Sequence, residues 1–192
     1  TGRNVLGVLK SDLPNNEPSL IVGGHVDHLG KEGGSSSLAR EEEKEKIHFG
    51  ADDNASGVAS TLEMAEWLVD QKRQGKLEMK RDILFAAWSG EELGLLGSAY
   101  YVDQVASANH SSDLSNQFAA YLNMDMVGRY EDALIVNGVG SSSIWRREIE
   151  RRNAPIGLRL ALKEDSYLPT DATSFYMKKV PILSVFTGSH SE

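Results

Sequence analysis

The stretch DILFAAWSGEELGLLGS, residues 82–98, joins a strand pattern to a helix pattern. Asp82–Trp88 is a short apolar run with the length and residue types of a buried strand. Two glutamates follow, Glu91 and Glu92, in the position of an acidic helix start, and a helix is predicted over Leu93–Val105. The same alternation continues on either side. Ser19–Gly24 reads as a buried strand, and the helical pattern Ala55–Gln71 places Val58, Leu62, Ala65, Leu68 and Val69 on one face. Further buried strands are expected at Asn4–Leu9, Phe118–Met124, Ala133–Val136, Leu158–Leu162 and Pro181–Thr187, with helices at Ser142–Arg152 and Thr170–Lys178. Strands alternating with helices predict an α/β fold, a sheet covered on both faces.

Composition narrows the function. The 192 residues suit about one domain. Twenty Lys+Arg against 28 Asp+Glu leave a net charge of −8, which argues against a nucleic-acid partner. No apolar run reaches the ~18 residues of a membrane span. No basic segment followed by an apolar stretch opens the chain, so no signal peptide is expected within it. With no cysteine, disulfides, thiolate zinc sites and Cys nucleophiles are excluded. The segment Gly30–Lys46 is Gly/Ser-rich and then densely charged, the pattern of a surface insertion between two motifs.

Four short motifs carry chemistry. GGHVDH, residues 23–28, puts His25 near a strand's C-terminal end, where ligands gather in open α/β sheets. In an extended chain Asp27 faces the same way as His25, so its carboxylate is expected to orient the imidazole. GADDNASG, residues 50–57, opens a helix, yet two adjacent carboxylates beside an Asn exceed what capping requires. Such carboxylates repel one another unless a cation intervenes. If Glu91 and Glu92 begin a helix they point roughly 100° apart, so one can bind a metal while the other faces a substrate. In NMDMVG, residues 123–128, an Asp between methionines at a strand end must be paired to offset its desolvation. One His and several carboxylates without a thiolate suit a hydrolytic zinc centre. The carboxylate surplus suits two cations about 3.5–4 Å apart sharing one carboxylate.

The motifs GGHVDHLG, GADDNASGVA, SGEELGLLGS, LNMDMVGR and PTDATSFY…VPILSVFTGSH, in this order, resemble the M28 family of zinc peptidases. The resemblance implies a three-layer α/β/α sandwich around a central mixed, mostly parallel sheet. It implies a two-zinc exopeptidase, most simply an aminopeptidase acting on peptides. His25, Asp53 and Asp125 would hold the first zinc, with Asp27 orienting His25. Asp53 would bridge to a second zinc held also by Glu92, Glu91 would be the general base, and Tyr167 would help hold the oxyanion. A secreted, periplasmic or cell-envelope location is also implied.

The chain departs from the family pattern in two places. Ala172 stands where many relatives have His after the Thr170-Asp171 pair. Relatives also continue past Phe-Thr-Gly-x-His into a Tyr-His pair whose His completes the second zinc, whereas this sequence ends at Glu192. The expectation is therefore a catalytic domain from a longer chain, with His190 as the only histidine near the missing ligand and a second site that fills weakly. The rival expectations are a one-zinc glutaminyl cyclase and a non-catalytic receptor domain on the same fold.

Overall fold

The computed structural model describes residues 2–13, 17–31 and 46–189. His190 lies outside the described residues, as does most of the charged insertion. Among the described residues, seven strands and four α-helices follow in the order β1 (Val5–Leu9), β2 (Ser19–His25), α1 (Gly57–Arg73), β3 (Ile83–Trp88), α2 (Leu96–Ala108), β4 (Phe118–Met124), β5 (Leu134–Asn137), α3 (Trp145–Asn153), β6 (Leu160–Leu162), α4 (Ala172–Tyr176) and β7 (Ile182–Phe186). They build one sheet of order β1-β3-β2-β4-β7-β5-β6. Pairing is parallel at β3–β2, β2–β4, β4–β7 and β5–β6, and antiparallel at β1–β3 and β5–β7.

Alternation of side chains sorts the layers. Ile21, Tyr121 and Ile182 point to one face, where Trp88, Val102 and Phe175 join them under α2 and α4. Leu122 and Leu183 point to the other face and meet Trp145 and Ile149 of α3. Helix α1 lies on this second face: a Cβ on Gly24 would meet Asn54 and Gly57 at its start. The three-layer α/β/α sandwich around a mixed, mostly parallel sheet is therefore present. Among the described residues no helix is long and apolar enough to cross a membrane.

The first core is aromatic. Tyr121 and Phe175 have ring centroids 4.3 Å apart, and Trp88 lies 5.7 Å from Phe175. The polar tips of these buried rings form a hydrogen-bonded chain across three strands. Trp88 Nε1 donates to Tyr121 Oη at 2.9 Å, Tyr121 Oη to Asn123 Oδ1 at 2.6 Å, and Asn123 Nδ2 to Ser184 Oγ at 3.3 Å. Buried polar atoms need such partners, and here they also tie β3, β4 and β7 together just below the sheet's C-terminal rim.

Three expectations from the sequence are corrected. Val5–Leu9 is a strand but not a buried one, because it lies at the sheet edge with Val5 66% exposed. Leu62 is 65% exposed. The buried line of α1 is Gly57 and Thr61, small residues that let the helix approach the sheet, and Leu62 lies about 100° round from Thr61. Helix α2 begins at Leu96 rather than Leu93, so Glu91 and Glu92 stand in a turn before it.

Candidate metal centre

The connections converge on one rim. The chain passes from β2 through α1 to β3 on one side, then through α2 back to β4 on the other. Such a reversal opens a crevice at the C-terminal strand ends. His25 ends β2, Glu91 and Glu92 follow β3, Asp125 follows β4, and Asp53 enters from the turn before α1. His25, Asp53, Glu91, Glu92 and Asp125 all line a cavity of about 640 Å³.

His25 is buried at 2% exposure. Its Nδ1 donates to the main-chain carbonyl of Asp27 at 3.0 Å, which leaves Nε2 facing the cavity. Nε2 lies 3.1 Å from Asp53 Oδ1 and 3.4 Å from Asp125 Oδ1. The expected route of orientation is thus corrected: the ring is held by the backbone of Asp27, not by its carboxylate. The strand ends at His25, so the alternation that would align the two side chains stops there.

The Asp27 carboxylate holds the next motif instead. Its Oδ1 accepts from the N–H groups of Gly90 at 2.8 Å and Glu91 at 3.1 Å, and Oδ2 accepts from Glu92 at 3.3 Å. An acceptor-only group is well suited to three N–H donors in one turn. With the backbone fixed, the two glutamates diverge. Glu92 Oε1 accepts from His28 Nδ1 at 2.9 Å, and Glu91 lines the cavity beside His25.

The acidic turn is divided in the same way. Asp52 Oδ1 accepts from Gly128 N at 2.7 Å. Asn54 Nδ2 donates to Met124 O at 2.9 Å, and its Oδ1 accepts from Gly57 N at 3.0 Å. These bonds fasten the turn to the end of β4 and leave Asp53 aimed at the cavity. The Asp53–Asn54 peptide is cis. The repulsion expected between Asp52 and Asp53 is relieved because they point to different partners.

Two groups of potential ligands result: His25, Asp53 and Asp125, and His28, Asp53 and Glu92, with ligand atoms in each mutually within 4.8 Å. Asp53 belongs to both. The sequence reading missed His28. Its only signal was a second histidine three residues after the first, and its partner Glu92 is 64 positions away. Tyr167 is not brought to the group. It is 68% exposed, although Leu168, Pro169 and Thr170 after it form cavity wall.

The donor set fits a zinc-type cation. A tetrahedral zinc with ligands at about 2.0–2.2 Å sets neighbouring ligand atoms about 3.3–3.6 Å apart, and the separations at His25 are close to that. Asp53 Oδ1 is buried, yet it accepts no well-aligned hydrogen bond among the described residues. The pair is placed for a shared cation rather than for each other. Electrostatics agree. Burial opposes charge on His25, but the carboxylates of Asp125 and Asp53 close to its Nε2 and the nearby charge of Glu91 push it up to about 12. A proton thus takes the cation's place in the metal-free protein. Burial, helped by Asp125, Asp171 and Glu92 and opposed by His25, raises Glu91 to about 8. That places its proton exchange close to neutral pH in the metal-free protein.

Comparison with known proteins agrees with this geometry. The family model for Peptidase family M28 matches residues 4–192. The chain is 37% identical over 157 residues to the aminopeptidase YwaD of Bacillus subtilis, covering 80% of this chain and 29% of that protein. It is 30% identical over 202 residues to a probable leucine aminopeptidase 2 of Aspergillus oryzae, covering 98% of this chain and 34% of that protein. It superposes on the structure of a zinc aminopeptidase from Bacillus subtilis with TM-score 0.69 at 25% identity, over 96% of this chain and 40% of that one. The chain spans about a third of the length of the curated relatives it matches. A model match over nearly every residue, together with one His and four carboxylates gathered on the rim, shows that the chain belongs to peptidase family M28.

Proposed function

We propose that this chain is the catalytic part of a zinc-dependent exopeptidase that removes N-terminal residues from peptides. The observation that carries the reading is the pair of ligand groups joined through Asp53, with Glu91 beside them and outside both. His25, Asp53 and Asp125 would hold one zinc, and Asp53 and Glu92 would reach a second. Bound zinc would supply Lewis acidity toward the scissile carbonyl and make water a stronger acid. Glu91 takes the proton of the attacking water and passes it to the leaving amine. The Asp27 carboxylate keeps the Glu91 and Glu92 main chain in place while that proton moves.

The cavity's lining bears on which end of the peptide it takes. Among the described residues no Lys or Arg lines it. With no cationic side chain in the wall to pair a C-terminal carboxylate, aminopeptidase action is favoured over carboxypeptidase action. Leu95, Met126, Leu168 and Phe186 give the rest of the wall an apolar character suited to a substrate side chain. Tyr167 would join by turning inward on substrate binding to donate to the oxyanion.

The test is Glu91→Gln assayed on aminoacyl-nitroanilides with zinc content measured in parallel. Turnover should fall by about 10²–10⁴-fold, the usual share of a general base, at unchanged zinc. Near-native turnover at full zinc would overturn the role, and cyclisation of N-terminal Gln peptides without hydrolysis would overturn the reaction. Tyr167→Phe should lower kcat by about 10²-fold with little change in KM, and an unchanged kcat would remove Tyr167 from the mechanism.

A further inference from the structure

We propose that Asn137 and Ser184 form a polar floor to the pocket for the substrate's first side chain and select an uncharged carboxamide there, glutamine above all, a preference that rests on the aminopeptidase reading above. The floor follows from strand register. Asn123 of β4 pairs with Ser184 of β7, and Ser184 pairs with Asn137 of β5. Residues directly opposite one another project to the same face of a sheet, so the three side chains form one row. Ser184 and Asn137 both line the cavity that holds His25, Asp53 and Asp125. Phe186 pairs with Ile135 two residues nearer the C-terminal end of β7. Ser184 and Asn137 therefore lie one pleat below the rim, at the bottom of the cavity.

Hydrogen bonding gives this floor a direction. In the buried chain Trp88–Tyr121–Asn123–Ser184 each member donates to the next, and Ser184 Oγ is the last acceptor. Its own O–H makes no hydrogen bond among the described residues, and bonds in such a chain polarise one another. Asn137 is half-buried at the outer end of the row, and its carboxamide has no hydrogen-bond partner among the described residues. Thr170 Oγ1, from the same wall, is buried without one as well. A carboxamide both donates and accepts, so the Ser184 hydroxyl and the Asn137 amide can satisfy the two ends of a second carboxamide. Leu95, Met126, Leu168 and Phe186 offer apolar cover for its methylene stem. Strand β5 stands two positions from β4, about 10 Å at the usual strand spacing, a reach that suits glutamine better than the shorter asparagine. Glutamate has the same shape, but its carboxylate would be desolvated with no Lys or Arg in the described lining to pair it. Methionine has the same length, but it would leave the polar atoms of the floor unpaired.

The test compares kcat/KM of the intact, zinc-loaded enzyme on the nitroanilides of Gln, Met and Glu. Release of nitroaniline reports hydrolysis and is blind to cyclisation. Gln should exceed both Met and Glu by about tenfold or more, because a site with polar groups of its own rejects a side chain that leaves them unpaired. In Asn137→Leu, which keeps the volume and removes the amide, the order should reverse, with Gln losing about tenfold or more and Met gaining. A parallel loss on Gln and Met would give Asn137 a structural role only and overturn the inference. Met cleaved as fast as Gln by the unaltered enzyme would also overturn it and leave the exopeptidase reading standing, and this comparison decides alone if the variant fails to fold. Hydrolysis of none of the three by the zinc-loaded enzyme would overturn both.

Discussion

Asp27 is where a residue's neighbours, more than its type, decide what it does. Its carbonyl orients His25 and its carboxylate gathers three N–H groups of the turn carrying Glu91 and Glu92. In Asp27→Asn one oxygen becomes an NH₂ donor facing backbone donors. Turnover should fall at least tenfold while the His25-centred site still binds zinc, because the carbonyl is untouched. Equal loss of both would show that the side chain orients His25 after all, and metal titration beside initial rates separates the cases. Gly50 is a second such residue. Gly50→Ala places a Cβ in a left-handed conformation, costing about 1–2 kcal/mol, and against the His28 ring. Its melting temperature should fall, and an unchanged melting temperature would show that the His28 ring gives way to the added methyl. The presence of His25, Asp53, Glu91, Glu92 and Asp125 at one site was legible from strand ends and helix starts. The part played by His28 was not, because its partner Glu92 is brought to it only by the pairing of β2 with β3.

The strands and helices were legible because most apolar runs are long enough for a strand and have Gly, Pro, Asp or Asn at one end. Burial within them was less so. Val5–Leu9 is as apolar as Ser19–His25, but an edge position is a property of the sheet order and not of the segment. Similarly, Leu62 belongs to an apolar stripe of α1 while the helix rests on its small residues. The hydrogen-bonded chain Trp88–Tyr121–Asn123–Ser184 is a property of three strands in register. Tyr121→Phe keeps the ring packing and removes the hydroxyl in the middle. It leaves the buried Trp88 Nε1 without its acceptor and Asn123 Oδ1 without its donor, a cost of about 1–3 kcal/mol per group. Denaturant titration should show that loss, and a change below about 0.5 kcal/mol would mean that water or rearrangement satisfies both.

Acidic groups converging on one rim make the whole molecule sensitive to pH. Burial, helped by the charges of Asp125 and Asp27 and opposed by the nearby Ser98 hydroxyl and the charge of His25, raises Asp171 from 3.8 to about 7, and Glu91 rises in the same sense. The folded protein then keeps protons that the unfolded chain releases. The resulting stability is complete below about pH 4 and is lost as pH rises through 7 to 8. The metal-free protein should therefore melt lower at pH 8 than at pH 5. Asp171→Asn should flatten that slope and raise stability at pH 8 by on the order of 1–3 kcal/mol. A metal-free melting temperature that rises with pH would contradict this. Zinc should reverse the trend, because it binds the ionised carboxylates and neutral imidazole and stabilises the fold by mass action. The central claim is that one carboxylate joins two cation sites, and Asp53→Asn tests it most directly. Calorimetric zinc titration of the folded variant should show that the firm and the weak equivalent of the unaltered chain both lose affinity, whereas Asp125→Asn weakens only the first and Glu92→Gln only the second. A variant that keeps either equivalent at its original affinity would contradict the shared Asp53.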